Sequence, residues 1–104
     1  MLNRITAMGR LTREPEIRHT ESGKPVANFT LAVDRDRNRE ETDFIDVVAW
    51  NGTAEFVSKY FRKGSMCIVS GRLQMRKYEA KDGTNRTAYE IVADNVYFGE
   101  SKKD

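Results

Sequence analysis

Two aromatic side chains flank a carboxylate on one face of the stretch Thr42–Asn51, and rings spaced in this way can stack with flat ligands. Apolar and polar residues alternate here with a period of two, the pattern of a β-strand. One set of alternate positions is aliphatic: Ile45, Val47 and Ala49. The other set is Phe44, Asp46, Val48 and Trp50. Because an acid is seldom buried without a partner, we expect the face of Asp46 to be open to water.

Large rings exposed on a rigid strand point to a binding partner, since apolar patches in contact with water often mark interaction sites. Nucleic-acid bases are flat, and each base stacked on such a ring contributes roughly 1–3 kcal/mol without sequence preference. Tyr78 has the same exposed parity on a later predicted strand. Phe44, Trp50 and Tyr78 are therefore the predicted base-stacking residues. The alternative is that the rings lie under a loop or in a subunit contact.

Positive charge is concentrated in one part of a chain whose net charge is only +2. Between Lys59 and Arg86 the acidic residues are Glu79 and Asp82, against these basic residues: Lys59, Arg62, Lys63, Arg72, Arg76, Lys77, Lys81 and Arg86. Arg72 and Arg76 share the predicted face of Tyr78, and cations beside a ring suit a phosphate and its base. The alternative is an ordinary solvated surface. The connector Arg35–Glu41 after the second predicted strand has mixed charge. It could reach over a nucleic-acid strand through Arg35 and Arg37, or it could simply be a flexible loop.

Catalytic and metal-binding patterns are missing from the sequence. The single histidine, His19, lies in a predicted polar loop, and the single cysteine, Cys67, lies in an apolar run. No Cys/His metal spacing, phosphate-binding glycine loop or nucleophile motif occurs. Asp43 and Asp46 are close in sequence, but strand alternation puts them on opposite faces. We expect no catalytic residues, no metal and no cofactor.

Length and composition indicate one domain of 104 residues. One cysteine cannot form an internal disulfide, which suits a reducing, cytoplasmic setting. No apolar run approaches the length of a membrane span, and the N-terminus has no signal-peptide layout. We expect no membrane association.

The predicted order of elements is three strands, a helix and two strands. The strands are Asn3–Thr12, Val26–Asp34, Thr42–Asn51, Met66–Tyr78 and Arg86–Phe98, with a loop at Glu14–Pro25 and a helix at Thr53–Phe61. The last strand is apolar on both faces, so it is expected to be enclosed on both sides.

This order suits an all-β protein with one short helix: the OB-fold, a five-stranded, partly open Greek-key barrel with the helix between strands 3 and 4. Gly9 and Gly71 interrupt two strands, as the sharp bends of a small barrel require. The predicted OB-fold, nucleic-acid-binding domain covers residues 1–99, and residues 100–104 form a short polar tail.

Seven stretches of the sequence together resemble the bacterial-type single-stranded DNA-binding proteins. They are Met1–Ile5, Gly9–Thr12, Pro15–Arg18, Val26–Val33, Lys63–Ser65, Gly71–Tyr78 and Thr87–Asp94. The resemblance implies an OB-fold protomer, assembled as a homotetramer, that binds single-stranded DNA without sequence preference in replication, recombination and repair. It also implies a cytoplasmic, nucleoid-associated location.

Residue by residue, the resemblance implies base stacking on Phe44, Trp50 and Tyr78. It implies phosphate contacts for these basic residues: Arg18, Lys63, Arg76 and Lys77. Independently of the resemblance, local charge and position add four arginines to the predicted phosphate-binding set: Arg35, Arg37, Arg72 and Arg86. Arg37 stands approximately where some members carry an aromatic residue in a hairpin. Two alternative functions remain open: the domain binds RNA, or it is a structural OB module that binds proteins.

The family commonly ends in a flexible linker with an acidic tip that binds other proteins. The sequence ends at Lys102-Lys103-Asp104. We therefore expect a short form without the acidic tail, either a naturally short member of the family or a trimmed chain, and in both cases no recruitment of proteins through such a tail.

Overall fold

Six strands and one helix make up the fold in the computed structural model, which describes residues 1–37 and 40–100. The elements are β1 (Ile5–Leu11), β2 (Glu16–His19), β3 (Pro25–Asp34), β4 (Thr42–Trp50), α1 (Asn51–Tyr60), β5 (Met66–Glu79) and β6 (Asn85–Phe98). Of the predicted tail at 100–104, residues 101–104 lie outside the described residues.

Five strands close into a ring in the order β1-β5-β6-β4-β3, and β3 returns to β1. Closure depends on β1, which pairs with β5 from Ile5 to Arg10 and with β3 at Arg10 and Leu11. The β4–β6 pair is parallel, and all other pairs are antiparallel. The helix lies between β4 and β5 in the chain. This is the predicted OB-fold barrel, and that prediction is confirmed.

The predicted loop at Glu14–Pro25 is wrong in part, because it contains β2. This short strand adds to the free edge of β3, outside the ring, with Glu16 opposite Asn28 and His19 opposite Pro25. All four of its residues are exposed. Since it buries no apolar face, its sequence shows no alternation, and only its pairing with β3 makes it a strand.

The helix begins two residues before the predicted start, because β4 runs into it without a loop. Trp50 is the N-cap residue and is still extended, while Asn51 has φ of 55°. The helix packs the buried side chains of Ala54 and Val57 against the barrel. Phe61, just past its end, is fully buried.

The main core fills the barrel with aliphatic side chains and two phenylalanines. Its fully buried members include Phe29, Leu31, Val47, Ala49, Val57, Phe61, Cys67, Val69 and Ile91. A second, smaller cluster of Val26, Val48 and Val92 lies on the outer face of the sheet. Because Ile91 belongs to one cluster and Val92 to the other, β6 is enclosed on both sides there, as its sequence predicted.

The two strand glycines lie where backbones approach too closely for a side chain. A Cβ on Gly9 would be 2.4 Å from the carbonyl oxygen of Ala32, and one on Gly71 would be 2.0 Å from that of Val92. The register slips at Gly71: Ser70 is opposite Asn95, and Gly71 is opposite Ala93. The unpaired residue, Asp94, is on β6. The alternation of β5 therefore continues unchanged, whereas on β6 the positions that face the core change from odd-numbered before Asp94 to even-numbered after it.

Candidate nucleic-acid interface

The outer face of β4 carries two exposed rings, as its alternation predicted. Phe44 is 69% exposed and Trp50 is 42% exposed. Asp46 lies between them on the same face, exposed, and accepts a hydrogen bond of 2.9 Å from the Thr30 hydroxyl. On the other face of β4, Val47 and Ala49 belong to the main core. The strand thus has a buried aliphatic face and an open aromatic one.

The β5–β6 hairpin extends this open face. Asp46 is opposite Glu90 on β6, and Glu90 is opposite Gln74 on β5. Side chains that are directly opposite lie on the same side of a sheet, so Gln74 faces outward with Asp46. The alternation of β5 is unbroken, which places Tyr78, 41% exposed, on this face too. The structure therefore brings all three predicted stacking rings to one face.

A groove of about 390 Å³ crosses this face. It is lined by Arg18, Asn28, Val48, Trp50, Gln74, Arg76 and Glu90. Arg18 reaches it from β2, where it is opposite Val26, the partner of Trp50. The floor is apolar at Val48, and the walls offer two guanidinium groups, two amides, a carboxylate and an indole. These groups can hold a base by stacking and its phosphate by charge.

Arg76 is the best-positioned cation of the groove. Its guanidinium carbon lies 5.5 Å from the centroid of the Tyr78 ring, within the range of a cation–π contact. Its Nε lies 3.6 Å from Oε1 of Glu90. The side chain of Arg76 is 55% exposed, whereas that of Glu90 is only 12% exposed.

Two more predicted arginines share the face. Arg72 donates a 3.4 Å hydrogen bond to Gln74. Arg86 is directly opposite Tyr78 and pairs with Asp82 at 3.4 Å in the hairpin turn. Hydrogen bonds from Thr84, with a smaller contribution from Arg86, lower the pKa of Asp82. Both arginines are exposed to solvent.

Arg35 does not join this face. Its guanidinium bonds to Asp43 at 2.9 Å and to Glu41. Asp43 is opposite Val33. It is separated from the core-facing residues of β4 by an even number of positions, so it lies on their side of the sheet and not on the side of the rings. The hydrogen bond between the two side chains raises the pKa of Arg35 and lowers the pKa of Asp43. Arg35 lines a different groove, beside β1.

Three other predicted phosphate contacts also lie away from the groove lining. Lys77 has the opposite parity from Tyr78 and is exposed on the other side of the hairpin. Lys63 is exposed in the turn between α1 and β5, where the next residue, Gly64, bonds to the carbonyl of Leu11. Arg37 is exposed in the bend after β3, next to the undescribed residues 38 and 39.

Four residues of the groove lining were not among the predicted site residues: Asn28, Val48, Gln74 and Glu90. The parity of Gln74 was visible beside Arg72 and Arg76, and Asn28 was visible as a polar residue on the second predicted strand. Nothing local marked Glu90, because its strand is apolar on both faces. Its position follows from the parallel pairing of β4 with β6, which joins segments far apart in the chain.

The groups that could suggest catalysis have structural explanations. Cys67 is fully buried in the core, as its apolar run indicates, and burial raises the pKa of its thiol to about 12. A thiol with that pKa remains protonated and is a poor nucleophile near neutral pH. His19 is exposed on β2. Over residues 1–37 and 40–100, no three His, Cys, Asp or Glu side chains are grouped so that they could bind a metal ion.

In the part of the chain that the structure describes, no helix has the length and apolar character needed to cross a membrane.

Comparison with known proteins identifies the family of the chain. The model of the "Single-strand binding protein family" matches residues 2–99. A single-stranded DNA-binding protein of Fusobacterium nucleatum is 46% identical over 107 residues, covering 97% of this chain and 69% of the relative. Single-stranded DNA-binding protein 1 of Staphylococcus aureus is 49% identical over 106 residues, covering 98% and 68%. Single-stranded DNA-binding protein 3 of Listeria innocua is 46% identical over 108 residues, covering 100% and 68%.

Proposed function

This chain belongs to the single-strand binding protein family, and on that premise we propose that it binds single-stranded DNA on the open face of its barrel. It is a binding protein and not an enzyme. One observation carries the proposal: Phe44, Trp50 and Tyr78 are exposed on the same face, and arginines share that face with them. Stacked bases and charge-paired phosphates need this combination of side chains.

In the proposed binding mode, bases stack on the three rings, and the phosphates contact Arg18, Arg72, Arg76 and Arg86. Every base has a flat face, so stacking is tolerant of sequence. Arg37, Lys63 and Lys77 are left as secondary candidates for a strand that continues around the protomer. Arg35 is omitted from the proposed site, because two carboxylates already satisfy its charge and it lies on another face.

Titration with oligo(dT) tests the proposal directly. Trp50 is the only tryptophan, so its fluorescence reports on the proposed site alone. We expect quenching on binding, and an affinity that falls as salt is added. For single strands the logarithm of affinity falls by roughly 0.7 per neutralised phosphate for each tenfold increase in salt. Unchanged Trp50 fluorescence at low salt, together with no change in the anisotropy of a labelled oligonucleotide, would contradict the proposal.

The two alternative functions make different predictions. An RNA-binding module would prefer oligo(U) to oligo(dT) of the same length in direct competition. A protein-binding module would bury Trp50 in a subunit contact, and its emission would be blue-shifted before any DNA is added. The comparisons do not favour either alternative, because the relatives are named for single-stranded DNA.

A homotetramer is part of the proposal, supported by an apolar patch outside the groove. Met8 is opposite Ile68, and Ile68 is opposite Tyr97, so the three lie side by side on the outer face of the barrel. Met8 and Tyr97 are more than half exposed. Within the described residues, Ile5–Gly9 of β1 pair on one side only, with β5. An open edge beside an apolar patch favours self-association.

The mass of the free protein in solution tests the assembly. By light scattering after gel filtration, we expect about four times the chain mass of 12.0 kDa. Met8→Glu should lower that mass, because it places a charge in the apolar patch. Ile17→Glu is the matched control, since Ile17 is an exposed apolar residue on β2, away from the patch. A wild-type mass equal to one chain would contradict the tetramer.

The biological setting is a further part of the proposal. Protection of single-stranded DNA is needed wherever duplexes are opened, as in replication, recombination and repair. Such a role places the protein in the cytoplasm with the nucleoid, where a single buried thiol is compatible with reducing conditions.

A further inference from the structure

We propose that Glu90 is a positioning residue: its carboxylate orients the Arg76 guanidinium for contact with DNA. The inference rests on the proposed function and goes beyond it, because it gives a negatively charged residue a supporting role in an interface for a polyanion. The ordinary expectation for an acid in such a groove is repulsion of phosphate. The contacts of Arg76 indicate instead that Glu90 strengthens DNA binding.

The guanidinium is constrained on two sides. Nε faces Oε1 of Glu90 at 3.6 Å, and the guanidinium carbon lies 5.5 Å from the Tyr78 ring centroid. Ala88 is directly opposite Arg76 on β6, which makes Glu90 the diagonal neighbour and leaves the space over Ala88 free of a large side chain. The arginine is therefore directed by an ion pair and a ring instead of moving freely in solvent.

Glu90 is much more buried than Arg76. This difference determines which of the two side chains a phosphate can contact without breaking the ion pair. Glu90 is 12% exposed, and among the described residues Arg76 is the one cation within ion-pair distance of it. If a phosphate drew Arg76 away, a largely buried carboxylate would lose its partner while facing another anion. Leaving a buried charge uncompensated is costly. The favourable arrangement keeps the ion pair and adds the phosphate to it.

An arginine can make both contacts at once. Its guanidinium has five N–H donors in a fixed plane, and the atom nearest Glu90 is Nε. The two terminal nitrogens remain available for a phosphate, which they can bind in bidentate fashion. A lysine ammonium is a point charge without this planar division of donors. The geometry thus explains why an arginine, rather than a lysine, is useful at position 76.

The test is the sign of the change in affinity for labelled oligo(dT) in Glu90→Gln, measured by anisotropy at fixed salt. Loss of positioning should weaken binding about threefold or more, within the range expected for coupled neighbouring residues. Simple repulsion predicts tighter binding, because a negative charge is removed. Glu16→Gln is the matched control, because Glu16 is exposed opposite Asn28 on the same face. Loss of its negative charge should leave the affinity for oligo(dT) unchanged or raise it at most about twofold.

Repeating the substitution in an Arg76→Ala background separates positioning from a general structural role. Without the arginine there is nothing to position, so Glu90→Gln should now tighten binding. A destabilised fold would instead weaken binding in both backgrounds. Arg76→Lys supplies a second variant that keeps the charge at an exposed position, and it should bind nearly as weakly as Arg76→Ala.

Three results would overturn the inference: tighter binding by Glu90→Gln in the wild-type background, the same sign of change in both backgrounds, or wild-type affinity for Arg76→Lys. Failure of the proposed function itself is distinguishable, because then the wild-type protein would not bind oligo(dT) at all.

Discussion

Replacement of Trp50 by alanine is expected to weaken the binding of oligo(dT) roughly fivefold to 140-fold, the loss that corresponds to about 1–3 kcal/mol for one stacked base. Trp50 has the central position, because it lines the groove together with Arg18 and Arg76. Its side chain makes no capping hydrogen bond to α1, so its removal should not disturb the start of the helix. The expected loss is therefore one of binding rather than of folding.

The measurement needs a labelled oligonucleotide, since the variant contains no tryptophan. Trp50→Phe keeps a ring and should retain most of the affinity. Tyr89→Ala is the matched control, because Tyr89 is an exposed ring opposite Met75 on the other side of the β5–β6 hairpin. If Trp50→Ala bound oligo(dT) within about twofold of the wild-type affinity, base stacking on Trp50 would contribute less than the expected 1–3 kcal/mol to the free energy of binding.

The second large effect is expected from Gly71→Ala, which should lower the free energy of unfolding by about 1–3 kcal/mol or more, the cost of an overpacked site. The added Cβ would be 2.0 Å from the carbonyl oxygen of Val92 and 2.9 Å from its carbon. Both are backbone atoms, so a side-chain rotation cannot relieve the clash. Either β5 and β6 separate at the bulge, or the variant fails to close its barrel.

Thermal and urea unfolding, followed by circular dichroism, measure this effect. For a domain of this size each kcal/mol shifts Tm by roughly 4–8 °C. Gly52→Ala is the control, because an added Cβ there meets nothing within 4 Å and the position is helical. Equal stability of Gly71→Ala and wild type would show that the two strands do not approach as closely as described.

Alternation along single strands carried most of the sequence-based prediction of the site. In β4 and β5 it separated the core-facing residues from the exposed ones, so Phe44, Trp50, Arg76 and Tyr78 were assigned to the open face. Chain order and the two strand glycines led to the barrel. These features are local, since side chains on a strand alternate whatever lies beside it.

Other features were decided only when the chain closed on itself. Strand β2 exists because the edge of β3 offers it hydrogen bonds, and Arg35 is directed away from the groove by Asp43 and Glu41. Beyond the unpaired Asp94, the facing of β6 reverses. None of these outcomes has a counterpart in the local pattern of residue types.

What the sequence determined by itself was which side chains of a strand share a face, which face of β4 is aliphatic, and the position of the helix in chain order. The tertiary structure decided which faces are adjacent, and so brought Glu90 of β6 to Arg76 of β5 and both to the groove beside Trp50 of β4. The reason is physical. Alternation follows from the geometry of one extended chain, whereas neighbours across a sheet depend on long-range backbone hydrogen bonds whose register is set when the barrel closes.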